Sequence, residues 1–187
     1  SHQVNVQRHK LKQLLLLLAH QIGSEVSTAE LSRNLSISRQ TVERYLDLLE
    51  RCFVIFRLNS YSTNLRKEIA KSKKIYFWDT GVRNALLKEM QFSDYRADIG
   101  ALWENWIVAE FAKKNALNGD RANLYFWRPR QGREVDLVIQ QGGTLQAFEI
   151  KWSKASTYSS LSAFTSSYGV TPQLISRDNF LKFLITK

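Results

Sequence analysis

The stretch GREVDLVIQQGGTLQAFEIKWSK, from Gly132 to Lys154, decides how the second half of the chain is interpreted. Two runs rich in β-branched and aromatic residues flank a pair of glycines, which is typical of a β-hairpin. A hairpin requires no particular charges, yet these strands carry Glu134, Asp136, Glu149 and Lys151. Two interpretations are open: a solvated polar face, or a metal site for cutting nucleic acid.

The two faces of this hairpin can be separated by parity, because side chains alternate along a strand. Six apolar residues are expected to share the face toward the core: Val135, Leu137, Ile139, Phe148, Ile150 and Trp152. The four charged residues then lie on the opposite face. A two-residue turn at Gly142 and Gly143 sets Asp136 opposite Glu149, whereas a four-residue turn shifts its partner to Ala147.

Two neighbouring carboxylates repel each other by more than a cross-strand pair gains, about 0.2–1 kcal/mol. A cation between Asp136 and Glu149 removes that cost. Mg²⁺ (or Mn²⁺) is the candidate, because it accepts one or two carboxylates and keeps positions for water and phosphate. Lys151 would orient the attacking water or neutralise developing phosphate charge. In the alternative, Lys151 simply pairs with an acid in solvent.

The first half predicts a winged helix-turn-helix. Helices are expected over 6–22, from the capping box at Ser27 through Leu35, and over 39–51 after a Ser38 cap. Strands over 53–61 and 73–79 enclose a basic segment, which would track phosphates while the third helix enters the major groove. The expected DNA contacts are Arg39, Gln40, Arg44, Arg66, Lys67, Lys71 and Lys73. Winged helices also dock proteins, and Glu43 and Asp47 on the third helix would repel phosphate.

The second half predicts the order αβββαβ, a mixed sheet flanked by helices. A bridging helix over 79–90 and a linker over 93–100 precede an apolar helix over 101–115, which carries Glu104. Strands follow over 123–127, 134–139 and 144–152, then a helix over 157–168 and a strand over 172–176. We therefore expect one domain over 1–92 and another over 93–187. Further nucleic-acid contacts are expected at Arg128, Arg130 and Arg133, beside the aromatic strand, unless these arginines are merely solvated.

Composition bounds the partners and the compartment. The chain has 187 residues and a net charge of +10, which favours nucleic acid as a partner but leaves an inert basic surface open. The single cysteine, Cys52, excludes an intrachain disulfide and fits a reducing compartment. Its apolar neighbours predict that it is buried. With no recognisable signal peptide and no long apolar run, we expect a cytoplasmic protein without membrane contact.

The spacing of the charged residues also resembles the PD-(D/E)XK nuclease superfamily. Asp136 is followed by Glu149-Ile150-Lys151 at the end of the next strand, after a helix carrying Glu104. That superfamily has a restriction-endonuclease-like αβββαβ core. The resemblance implies that Asp136, Glu149 and Glu104 bind metal and that Lys151 assists catalysis. Val135 stands where the superfamily's name has proline, a position at which the proline is commonly absent.

Four stretches, in order, are similar to the C-terminal region of a family of prokaryotic AAA-type ATPases, usually catalogued as a domain of unknown function. They are KKIYFWDTGVRNAL (73–86), IGALWENWIVAE (99–110), YFWRPRQGREVDLVI (125–139) and LQAFEIKWS (145–153). The resemblance implies an ATPase domain outside this chain. No GxxxxGK[ST] phosphate loop occurs in the sequence, so P-loop ATP hydrolysis is not expected here. Two functions stay open: a Mg²⁺-dependent nuclease acting on DNA, and a catalytically silent module that binds a protein or regulates the ATPase.

Overall fold

The computed structural model describes residues 2–62, 73–91, 93–119, 121–129, 134–153 and 162–185. In these ranges the helices are α1 (His2–His20), α2 (Thr28–Leu35), α3 (Arg39–Arg51), α4 (Thr80–Leu87), α5 (Ile99–Leu117), α6 (Ser162–Tyr168) and α7 (Leu181–Leu184). The strands are β1 (Glu25–Val26), β2 (Ile55–Ser60), β3 (Lys73–Phe77), β4 (Asn123–Trp127), β5 (Val135–Gln141), β6 (Thr144–Ile150) and β7 (Gln173–Ile175). None of these helices is both long enough and apolar enough to cross a membrane.

Serine caps start α2 and α3, as the sequence predicts. The Ser27 side chain accepts a hydrogen bond from the Glu30 amide at 3.3 Å, and Ser38 Oγ accepts one from the Thr41 amide at 3.1 Å. Such caps satisfy amides that have no partner within the helix. The apolar stripe of α3 is buried in a core that also contains residues of α1 and α2, and its members are Val42, Leu46 and Leu49.

All seven described strands form one mixed sheet, in the order β1-β3-β2-β4-β5-β6-β7. β2 runs parallel to β4 and β6 runs parallel to β7, while the other neighbouring strands are antiparallel. The β2–β4 pairing connects the strands of the first half to those of the second. The fold is therefore a mixed α+β arrangement in which a single sheet runs through both halves.

Helices cover both faces of the second half of the sheet. On one face α5 and α7 pack over β4 to β7, in a core that includes Ile107, Phe111 and Phe148. On the other face Phe164 of α6 packs against β5 and β6. Trp103 is buried and stacks on the half-buried Trp106, so that pair belongs to the core and its margin.

The hairpin turn has two residues, which selects one of the two expected registers. Gln141 pairs with Thr144, and Gly142 and Gly143 adopt φ angles of +54° and +82°. Two successive positive φ angles match a type I′ turn, whose twist suits the flanking strands. The ladder continues to the pair Leu137 and Phe148, which places Asp136 and Glu149 at the next step along the two strands.

A β-bulge in β5 corrects the parity assignment at one position. Tyr125 pairs with Val138 and Trp127 pairs with Val135, so β5 has one more residue than β4 over this interval. The extra residue breaks the regular alternation of side-chain facing within this interval. Val135 therefore packs with Val138 in the core beneath α6, and the prediction that it shares a face with Leu137 and Ile139 is wrong.

The prediction that Cys52 is buried is also wrong. Cys52 follows the last turn of α3 and is exposed. The next residue, Phe53, adopts a φ angle of +54° and is 74% exposed. This turn lets the chain leave α3 before β2 enters the sheet at the fully buried Ile55.

A candidate metal and nucleic-acid site

The four residues predicted to be catalytic line one cavity of about 550 Å³. They are Glu104 from α5, Asp136 from β5, Glu149 from β6 and Lys151 just beyond β6. The other charged residues in the lining are Glu25, Lys74, Arg128 and Glu134. The fold thus brings together side chains that are far apart in sequence, including Lys74 from the first half of the chain.

The Lys151 ammonium lies between two buried carboxylates. Its Nζ is 3.3 Å from Asp136 Oδ2 and 3.3 Å from Glu149 Oε1. Asp136 Oδ2 also accepts a hydrogen bond from the Ile150 amide at 2.7 Å, which fixes the carboxylate against the neighbouring strand. The Lys151 side chain remains 39% exposed, so the cluster opens to solvent on the lysine side.

Burial dominates the protonation of Asp136. Loss of solvent and the nearby Glu104 carboxylate raise the pKa of Asp136 to about 7, against the opposing effect of Lys151 and Lys74. An aspartate with such a pKa carries a proton in a substantial fraction of molecules at neutral pH. Binding of a cation would release that proton, because metal ligands must be deprotonated.

Glu104 is held by a second cluster on the opposite wall. Its Oε1 accepts hydrogen bonds from Lys74 Nζ at 3.0 Å and from the Tyr76 hydroxyl at 2.7 Å. Lys74 Nζ also donates to Glu134 Oε1 at 2.7 Å. Burial lowers the pKa of Lys74, but Glu104, Asp136 and Glu134 outweigh it and raise that pKa above its ordinary value. Lys74 is therefore a fully charged cation inside the site.

Sequence reasoning did not identify Lys74 or Tyr76 as site residues. The sequence predicts both on the strand over 73–79 and gives neither of them a role in the site. The signal was their alternation: Lys74 and Tyr76 are two residues apart and therefore share a face of β3. A lysine and a tyrosine that share a buried face require polar partners.

The donor chemistry fits Mg²⁺ at one pair of residues. Asp136 and Glu149 offer carboxylate oxygens from adjacent strands at the cavity wall, and Mg²⁺ binds through one or two carboxylates while keeping several waters. Across the described ranges, however, no group of three or more His, Cys, Asp or Glu side chains is arranged to hold a metal ion. Glu104, the expected third ligand, is occupied by Lys74 and Tyr76.

The predicted nucleic-acid contacts fall into three groups. Exposed side chains on α3 are Arg39, Gln40 and Arg44. Arg128 is exposed beside the cavity, where its Nη1 lies 2.7 Å from Glu25, and Lys73 is partly buried at the start of β3. The remaining predicted contacts lie outside the described residues: Arg66, Lys67, Lys71, Arg130 and Arg133.

The acids of α3 that would repel phosphate are paired within the protein. Arg57 on β2 contacts Glu43 at 3.1 Å and Asp47 at 2.5 Å, and it also pairs with Glu50. The Arg57 side chain is only 16% exposed, so it acts from beneath the helix. This pairing reduces the negative charge of the acidic face of α3 while leaving Arg39 and Arg44 exposed.

Relatives of this chain occur in bacteria and archaea. The chain is 33% identical over 150 residues to an uncharacterized protein of Mycobacterium tuberculosis and, to the same extent, to one of Mycobacterium bovis; these alignments cover 79% of this chain and 33% of each relative. An uncharacterized protein of Methanocaldococcus jannaschii is 33% identical over 134 residues, which is 72% of this chain and 25% of the relative. The chain thus spans about a third or less of the length of these curated relatives.

No solved structure matches the chain significantly. Two family models match it in sequence. The domain of unknown function DUF8612 covers residues 1–93, and the domain of unknown function DUF4143 covers residues 99–181. Over residues 1–93 and 99–181 the chain is thus similar to two successive domains of unknown function.

Proposed function

We propose that the chain is the C-terminal nucleic-acid-associated module of an AAA-type ATPase and that its cavity hydrolyses phosphodiester bonds of DNA with Mg²⁺ or Mn²⁺. In this proposal the first half is a winged helix and the second a restriction-endonuclease-like domain of the PD-(D/E)XK type, acting in the cytoplasm. The observation that carries it is the convergence of Glu104, Asp136, Glu149 and Lys151 on one cavity.

The cavity residues divide the chemistry between them. Asp136 and Glu149 would hold the cation, which when bound would polarise the scissile phosphate and activate a water. Lys151 keeps its ammonium beside both carboxylates and is the most exposed of the three, so it is placed to meet an incoming phosphate. Its positive charge would stabilise the charge that develops on the phosphate during cleavage.

DNA would approach over basic side chains next to these acids. Arg128 is exposed at the cavity, and Arg39 and Arg44 are exposed on α3. The net charge of +10 supports long-range attraction of a polyanion. Binding is then expected to weaken steeply with salt, since each neutralised phosphate contributes a slope of about −0.9 in log K against log salt.

A cleavage assay tests the proposed hydrolysis. Plasmid and single-stranded oligonucleotide are incubated with Mg²⁺ or Mn²⁺ and with the parent protein, Asp136→Asn, Lys151→Met or Lys113→Met. Lys113 is a matched control, because it pairs with Glu110 on α5 outside the cavity. We expect Lys151→Met to lower the cleavage rate by about 100-fold or more, the usual cost of losing a group that stabilises transition-state charge. Asp136→Asn should also lower the rate, because it removes a carboxylate that would hold the cation. Equal rates for all four proteins would exclude this site.

A second candidate is a catalytically silent module that binds a protein partner or regulates the ATPase. It is favoured by the lysines, because Lys74 and Lys151 already neutralise the carboxylates that a metal would need. This alternative predicts that the parent protein binds DNA in a salt-dependent manner, or binds a protein partner, but does not cleave DNA when Mg²⁺ or Mn²⁺ is added. It also predicts that Asp136→Asn leaves partner binding unchanged.

A further inference from the structure

Lys74 is a buried cation supplied by the first half of the chain to a site of the second half. Its side chain is only 2% exposed, and its Nζ lies 3.0 Å from Glu104 Oε1 and 2.7 Å from Glu134 Oε1. The partners follow it by 30 and 60 residues in sequence. A purely local role in β3 does not explain why a lysine reaches across the sheet to α5 and to the residue before β5.

Lys74 and a divalent cation would share the Glu104 carboxylate. Glu104 Oε1 already accepts from Lys74 Nζ and from the Tyr76 hydroxyl, so this oxygen is saturated by donors. A cation that binds through Oε1 must displace one of these donors, and one that binds through the other carboxylate oxygen stands beside the Lys74 ammonium and is repelled by it. The Lys74 ammonium is the group that would leave, because a divalent cation repels it. The Tyr76 hydroxyl is neutral and can rotate so that its oxygen accepts instead of donating.

Two lysines, Lys74 and Lys151, neutralise the carboxylates of this cavity. Lys74 is also attracted to Asp136, and Asp136 is held by Lys151 on its other side. The carboxylates of this cavity are therefore shared between two lysines. Loss of Lys74 would leave the Glu104 and Glu134 carboxylates without a buried positive charge. An uncompensated buried charge is costly, so these carboxylates would then favour binding of another cation.

We propose that Lys74 is a positioning residue that competes with the divalent cation for Glu104, so that cation loading is coupled to withdrawal of Lys74. This rests on the proposed metal site and names the residue of the first half that regulates it. In the lysine-paired state Glu104 faces β3. In the loaded state Glu104 would be released from Lys74 and available to the cation, and β3 would lose its ionic tie to α5.

Isothermal titration with Mn²⁺ and with Ca²⁺ tests the competition without relying on cleavage. The proteins are the parent, Lys74→Met, Lys74→Arg and the double variant Lys74→Met/Glu104→Gln, with Lys113→Met as the matched control on α5. We expect Lys74→Met to bind the cation about 5- to 150-fold more tightly, the usual range for two coupled binding events. Lys74→Arg and Lys113→Met should bind like the parent, and Glu104→Gln should cancel the gain.

Each result decides a different question. Parent-like affinity in Lys74→Met, with measurable binding in the parent, overturns the role of Lys74 and leaves the metal site intact. Absence of binding in every variant overturns the metal site itself and the competition with it. If Lys74→Met does not fold in EDTA, Mn²⁺ should restore its circular dichroism spectrum. Failure of Mn²⁺ to do so, with the double variant folded, also overturns the proposal.

Discussion

Asp136 is an acid whose folded environment opposes its charge. Its pKa of about 7 in the folded protein is well above the ordinary value of 3.8 for an aspartate, so the folded state holds a proton that the unfolded chain releases. This group therefore favours the folded state fully below about pH 4, and its contribution is lost as the pH rises toward 7. Metal-free protein should lose stability over that interval on account of Asp136.

The comparison protein for this prediction is Asp136→Asn, which keeps an oxygen to accept the Ile150 amide. Urea unfolding in EDTA between pH 4 and pH 8 gives the free energy of unfolding of both proteins. We expect the parent to become less stable relative to Asp136→Asn as the pH rises. Parallel pH profiles would contradict the assigned cause, because the difference between the two proteins isolates this carboxyl.

How much of the site the sequence could predict depended on the range of the contacts. The closeness of Asp136 and Glu149 follows from the two-residue glycine turn, because the ladder that the turn sets extends to their neighbours Leu137 and Phe148 within one hairpin. Lys74 and Tyr76 could not be predicted in this way, because their partner Glu104 comes from a helix that no local pattern brings to β3. The bulge that changes the face on which Val135 lies could not be predicted either, because it depends on the pairing of β5 with the neighbouring strand β4.

Arg57 connects β2 to the acidic face of α3. Replacing it by Met removes contacts to Glu43, Asp47 and Glu50 while keeping much of its apolar stem. Hydrogen bonds to charged groups contribute about 1.5–3 kcal/mol, and the partial exposure of the acids places the expected loss at the lower end of that range. Thermal or urea unfolding measures this loss.

The same variant should bind DNA less tightly, because three acids on α3 lose their counter-charge. Arg51→Met is the matched control: Arg51 is an exposed arginine at the end of the same helix, and its removal subtracts the same formal charge. We expect the weakening in fluorescence-anisotropy titrations to be larger for Arg57→Met than for Arg51→Met. Equal weakening would show that only net charge matters and that α3 does not face the nucleic acid.

The helices themselves were predictable because their determinants are local. Ser27 and Ser38 cap α2 and α3 from the position immediately before each helix, and the apolar spacing within α3 gives its buried stripe. Asn105 was not predicted to be buried, since a polar residue in an apolar helix is expected to face solvent. It is completely buried because its partner is the backbone of β3, some 28 residues earlier.

Asn105 makes one of the buried polar links between the two halves. Its Oδ1 accepts from the Phe77 amide at 2.8 Å, and its Nδ2 donates to the Phe77 carbonyl at 2.7 Å. Asn105→Ala would leave both backbone groups buried without a partner, at a cost of about 1–3 kcal/mol each. Together with the β2–β4 pairing, this link predicts that both halves unfold in one cooperative transition.

Coincident unfolding midpoints by circular dichroism and tryptophan fluorescence would support a single transition. Asn115→Ala is the matched control, because Asn115 on the same helix makes the same pair of bonds to the Ala122 backbone within the second half. We expect Asn105→Ala to lower the common midpoint more than Asn115→Ala does. Two separated midpoints in the parent protein would contradict the continuous sheet as a cooperative unit.

The long sequence separation between Lys74 and its two partners also matters during synthesis of the chain. During synthesis Lys74 emerges 30 residues before Glu104 and 60 residues before Glu134. At about 5–20 residues per second, it waits about 3–12 seconds for the second partner. Over that time its unpaired ammonium is expected to stay hydrated, and lysines on exposed strands disfavour pairing with other chains. Lys74, which is buried in the folded protein, is thus expected to reduce aggregation of the nascent chain.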